Sequence, residues 1–195
     1  MAIASRTERI TPLTNQQVYP HTEPGRLRTW VGVGGSPNSV VRAANYGLPL
    51  VLAIIGGNPL RFRSFVDRYH ALNGEFGNGT LPVGAHCPGH VAPSDTEARD
   101  GLWPHYATMH ARIGRERGWP PASREQFEAN CDPDGALFVG SPATVAAKIN
   151  RVVEGLGLNR FAMKYSAGSM PHESLLRSIE LFATEVAPQV RARHR

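Results

Sequence analysis

Apolar residues in this chain come in short runs that alternate between two patterns. Continuous runs of strand formers occur at Thr29 to Val33, Leu48 to Ile55, Leu81 to His86 and Arg160 to Tyr165. Such runs read as strands covered on both faces, although Pro82 weakens the third. Between them, apolar residues recur at helical spacing. Phe62, Phe65, Val66 and Tyr69 lie before Asn73-Gly74, Val145, Ile149, Val152 and Val153 before Gly155, and Leu175, Leu176, Ile179, Phe182, Val186 and Val190 form a last stripe from about His172 to Val190.

Small polar residues, proline and glycine mark the boundaries. Ser36 before Pro37 predicts a helix start, with a helix from about Asn38 to Tyr46 stopped by a left-handed Gly47. Ser94 to Glu97 has capping-box spacing and opens a helix to about Glu116, and Ser123 to Gln126 opens a shorter one. Gly140-Ser141-Pro142 repeats the first start signal. The result is four strands, each followed by helix, interrupted by a long helical excursion from Pro88 to Phe138. This order predicts parallel βαβ units in an α/β fold. Either half a barrel or a small open sheet satisfies it.

Residues 1–27 are polar, carry Pro12, Pro20, Pro24 and Gly25, and show no periodicity. They read as an extended lead-in to a domain over residues 28–195. At 195 residues one core is expected, whereas a TIM barrel typically needs about 250.

Composition narrows the function classes. With 41% hydrophobic and 19% charged residues, the chain is ordinary for a globular domain. No apolar run reaches membrane-spanning length and Met1 to Ile10 lacks a signal-peptide core, so no membrane partner and a cytoplasmic location are expected. The net charge of +5 would suit nucleic acid, but the arginines are scattered and only Arg191, Arg193, His194 and Arg195 form a run, so nucleic-acid binding is not expected. Lysine is confined to Lys148 and Lys164, which reads as a bias toward arginine and not as a site. Cys87 and Cys131 have neither disulfide-framework nor zinc spacing.

The segment Val31 to Gly57 is similar to a signature of the bacterial luciferase-like flavin-dependent oxidoreductases. Gly140 to Ile149 resembles that family's penultimate helix start, and Lys164 to Phe182 with Glu185 to Pro188 resembles its last strand and closing helix. The resemblance implies the C-terminal half, about strands five to eight, of a (β/α)8 barrel. It also implies a monooxygenase or oxidoreductase using reduced FMN and O2 on an organic small molecule, or coenzyme F420 in a hydride-transfer variant. Because strands one to four have no counterpart, a catalytically silent fragment is the alternative, and pairing with a second copy or with a complementing N-terminal half is expected. Whether the chain is an enzyme by itself stays open at this point.

Candidate site residues follow. Gly34, Gly35, Ser36 and Ser39 sit where a strand passes to a helix, so backbone N–H groups and the helix dipole favour an anion there. Residues alone also fit a plain capped turn, and the resemblance assigns this loop the flavin phosphate. It likewise puts Ile54 near the flavin ring, although core packing within an apolar run fits equally. His86, at a strand's C-terminal end, is a candidate for the substrate pocket. His86, Cys87 and His90 lack the partners for a metal site or a thiol nucleophile, so no metal is expected. Gly140 to Pro142 is expected to be an ordinary helix start, His172 structural, and Trp103, Tyr106 and Trp119 mostly a small core within the excursion.

Overall fold

A computed structural model describes residues 29–194, so the expected lead-in and Arg195 lie outside the described residues. The elements are β1 (Val31–Val33), α1 (Pro37–Asn45), β2 (Leu50–Ala53), a 3-10 turn (Pro59–Phe62), α2 (Arg63–Glu75), β3 (Val83–Val91), α3 (Asp95–Arg117), α4 (Arg124–Cys131), β4 (Phe138–Gly140), α5 (Pro142–Leu156), β5 (Arg160–Lys164), α6 (His172–Leu181), a π-helical turn (Phe182–Val186) and α7 (Ala187–Arg193). All strand pairs are parallel: β1 with β2, β2 with β3, and β3 with both β4 and β5.

The α/β expectation therefore holds, with three revisions. The sheet has five strands, not four. The added strand, β4, is three residues long, too short for any periodicity to reveal. Next, β3 does not stop at His86 but runs on to Val91. Proline is tolerated there for a reason of pairing. The carbonyls of Pro82 and His86 accept from Leu50 and Ile54 of the β2 segment, so alternate residues of β3 turn their backbone polar groups that way. Pro88 comes next in this series, and β2 has by then ended opposite His86. Its missing N–H is not needed. Finally, α5 ends at Leu156 with the left-handed Gly157, while Gly155 lies within the helix. A Cβ on Gly155 would sit 2.5 Å from Leu60 Cδ2, so that glycine serves a close approach and not a stop.

Alternation along the strands sets the two faces of the sheet. Val33, Leu50, Leu52, Ile54, Val83, Ala85 and Cys87 are buried against α1, α2, α5 and the C-terminal helices in one core cluster. The intervening residues form an opposite, more open face. Registered partners build it in rows: Gly32, Val51, Gly84 and Arg160, then Ala53, His86 and Ala162, then Pro88 and Lys164. At its N-terminal end, Trp30 packs over Gly84 and beneath the Arg160 guanidinium, 5.7 Å from the ring centroid.

The excursion forms a packed layer with its own core. Phe127 is fully buried, with Trp103 at 5.3 Å and Tyr106 at 5.2 Å between ring centroids. Trp119 departs from the expectation, lying exposed at the rim under Arg117. The last helix is continuous to Arg193 but widens over Phe182–Val186, just ahead of Pro188, whose ring would meet the carbonyl of the preceding turn in a regular α-helix.

Candidate functional site

Two helices of this chain begin with Ser-Pro, and their N-termini differ in one respect. At the start of α5, Ser141 Oγ accepts from Thr144 N–H at 3.4 Å, and a carboxylate from elsewhere fills the anion position. Asp95, the first residue of α3, accepts from the Ser141 backbone N–H at 2.6 Å and from the Thr144 hydroxyl at 3.0 Å. These bonds, the backbone one first, hold the Asp95 carboxyl below its ordinary range. The expectation of an ordinary helix start fits this geometry, with Asp95 supplying the anion.

At the start of α1 nothing of the kind occurs. Ser36 takes the N-cap conformation but makes no side-chain bond to its helix, and the first turn holds no acid. Ser94 and Ser123, like Ser141, do bond to their helices, at 3.2 Å and 3.1 Å. Gly34 and Gly35 are exposed, and a Cβ on either would meet nothing within 4 Å. Gly35 has φ +121, a region that disfavours side chains. Ser39 is half-buried one turn into the helix, its N–H donating to the Ser36 carbonyl at 3.1 Å. Among the described residues the loop is an open cradle with an uncommitted hydroxyl, at the positive end of a helix dipole.

The other candidates separate. Ile54 is 0% exposed on the helix-covered face, which carries the core-packing reading of its side chain, whereas Ile55 is 65% exposed. His86 lies mid-strand on the open face and not at a strand end. Burial lowers its pKa, with the Lys164 charge adding to the effect. Cys87 points to the opposite face from His86. Its thiol is buried and pushed up to about 12, chiefly by that burial, so the pair cannot act as thiolate and base. His90 is on the face of His86, 5% exposed, with Nδ1 buried and without a hydrogen-bond partner. Among the described residues no group of three metal-ligating side chains occurs, and no helix is long and apolar enough to cross a membrane. His172 is exposed at the first position of α6.

Sequence reasoning passed over both lysines. Lys148, 5% exposed, donates to the carbonyls of Asp132 at 2.6 Å, Leu137 at 2.7 Å, Cys131 at 3.2 Å and Asn130 at 3.4 Å. It thereby caps the C-terminal end of α4 and ties the excursion to α5. A charged residue on an apolar helix stripe was the available signal.

A sequence model of the family described as luciferase-like monooxygenase matches residues 3–160. The chain belongs to this family. The match begins inside the segment expected as a lead-in. Among solved structures, the luciferase-like chain is similar to a monooxygenase from Streptomyces bottropensis (22% identity, TM-score 0.64, 83% of this chain and 47% of that one). It is also similar to the oxygenating constituent of 3,6-diketocamphane monooxygenase from Pseudomonas putida, solved with FMN (22%, 0.58, 83% and 48%). A third is the coenzyme F420-dependent tetrahydromethanopterin reductase from Methanopyrus kandleri (16%, 0.57, 83% and 50%). The luciferase-like chain thus spans about half the length of these relatives, with the parallel sheet and helices of their barrel. No curated protein matches it.

Proposed function

We propose that this chain supplies the cofactor-phosphate half of a luciferase-like, flavin-dependent monooxygenase acting with O2 on an organic small molecule. One observation carries the reading: of two Ser-Pro helix starts, one has its anion position filled by Asp95 and the other stands open. An FMN phosphate at the open start would take the Asn38 N–H and the Ser36 and Ser39 hydroxyls, with Gly34 and Gly35 allowing close approach. Bound reduced flavin supplies the oxygen-activating chemistry, while the chain's own residues orient and enclose it. The Ile54 side chain is outside this assignment. The ring would run along the open face near Ala53 and Ile55.

The test uses a substitution that keeps the helix capped. Aspartate is as good an N-cap as serine, but Ser36→Asp places a fixed carboxylate where the phosphate would sit, as Asp95 does at α5. Flavin-fluorescence titration is expected to show saturable FMN binding weakened at least about tenfold by Ser36→Asp, with riboflavin, which lacks the phosphate, unaffected. Equal FMN binding by both proteins overturns the reading.

F420-dependent hydride transfer is the second cofactor reading, since the fold is as close to the F420 enzyme as to the FMN-bound one. Reduced F420 titrated against the same variant separates the two. The outer edges of β1 and β5 are unpaired among the described residues, which supports pairing with a second copy or a complementing half as against a silent, solitary fragment. Light scattering showing a folded monomer that binds neither cofactor leaves the silent fragment standing.

A further inference from the structure

The open face of the sheet carries Lys164 at the C-terminal end of β5. Lys164 is exposed and makes no ion pair among the described residues, whereas Arg63, Arg99, Arg124, Arg151 and Arg177 each pair with an acid. His86 lies one row below Lys164 on the neighbouring strand, and the Lys164 charge acts on it. His90, two residues beyond Pro88 on the same face, is influenced by His105. Its Nδ1 is buried and unpartnered. The His105 ring and Ser169 hydroxyl, 3.0 Å apart, link α3 to the loop after β5.

The registered neighbours of His86 are Ala53 and Ala162, so small side chains flank the imidazole in its row. A half-buried imidazole beside an unpaired ammonium binds a delocalised negative charge through charge-assisted hydrogen bonds. A neutral ligand would lack the charge–charge attraction to that ammonium.

We propose that Lys164 and His86, with His90 beyond them, form the binding site for an organic anion, the carboxylate, enolate or phenolate end of the substrate. The inference builds on the proposed function in taking this face as the substrate side of a flavin site. Anion binding itself does not require flavin. A reduced flavin ring also carries delocalised negative charge, and the experiment distinguishes that source from the substrate.

Benzoate and its neutral counterpart benzamide are titrated by calorimetry into the flavin-free chain, its Lys164→Met variant and its His86→Gln variant, with circular dichroism verifying the fold. Benzoate is expected to saturate and to bind at least about tenfold more tightly than benzamide, a preference that Lys164→Met abolishes and His86→Gln weakens. Reduced FMN is titrated in parallel under anaerobic conditions. Absence of saturable benzoate binding in the folded chain, equal affinity for benzamide, or benzoate affinity unchanged in Lys164→Met overturns the inference. So does a loss confined to reduced FMN, which would assign the lysine to the flavin. Failure of FMN binding with benzoate preference intact overturns the cofactor reading and leaves the anion site in place.

Discussion

Asp95 and Ser141 lie 46 positions apart in sequence, and the carboxylate of the first accepts the backbone N–H of the second at 2.6 Å. This bond joins the first turn of α3 to the first turn of α5, so the excursion is fastened to the barrel frame where it leaves the sheet. Asp95→Ala is expected to lower stability by about 1 to 2 kcal/mol, as loss of a helix cap does. Because its carboxyl is held below the ordinary range, the wild-type advantage is present above the unfolded-state pKa and lost as pH falls through the lower folded one. Urea melts of both proteins at pH 7 and at pH 3 check this: the gap in midpoint should narrow in acid.

Lys148 makes the second fastening, and its pH dependence has the same sign in a more alkaline window. Burial pulls its pKa from 10.5 to about 8. Between these values the unfolded chain holds a proton that the folded chain has shed, so stability rises with pH over that window. Lys148→Met removes both the rise and the donors to four carbonyls. The variant is expected to be less stable at pH 7 by about 2 to 4 kcal/mol and to show a flatter profile from pH 8 to 10. Tryptophan fluorescence, which Trp103 reports from inside the excursion, should redshift at lower denaturant in the variant.

Gly35→Ala tests the cradle from the backbone side. An added Cβ meets no atom within 4 Å, so the penalty is that of φ +121 alone. About 1 kcal/mol of destabilisation is expected, together with weaker FMN binding. Thermal melting and fluorescence titration on the same preparation separate the two effects.

Gly89 is constrained by space. A Cβ there would lie 2.6 Å from both the Phe138 carbonyl oxygen and Met163 Sδ, where β3 passes from pairing with β5 to pairing with β4. The methionine can shift, but the backbone oxygen cannot do so without breaking a strand pair. Gly89→Ala is therefore expected to lower stability by about 2 to 4 kcal/mol, with hydrogen exchange at Phe138 to Gly140 accelerated beyond that of the rest of the sheet.

Sequence alone determined the βα order, the helix starts at Ser36, Ser94, Ser123 and Ser141, and the family. Each of these is local: a capping serine, a glycine stop or an apolar run acts on residues within a turn or two of itself. Tertiary structure decided the rest. The three-residue β4 exists only because β3 offers it an edge. Ile54 faces the helices and not the open face because strand alternation is fixed by pairing with β3, and a shift of one residue would exchange it with Ile55. The two Ser-Pro starts are nearly the same as text. What separates them is Asp95, brought to one of them by the fold, and no local pattern records a partner 46 residues away.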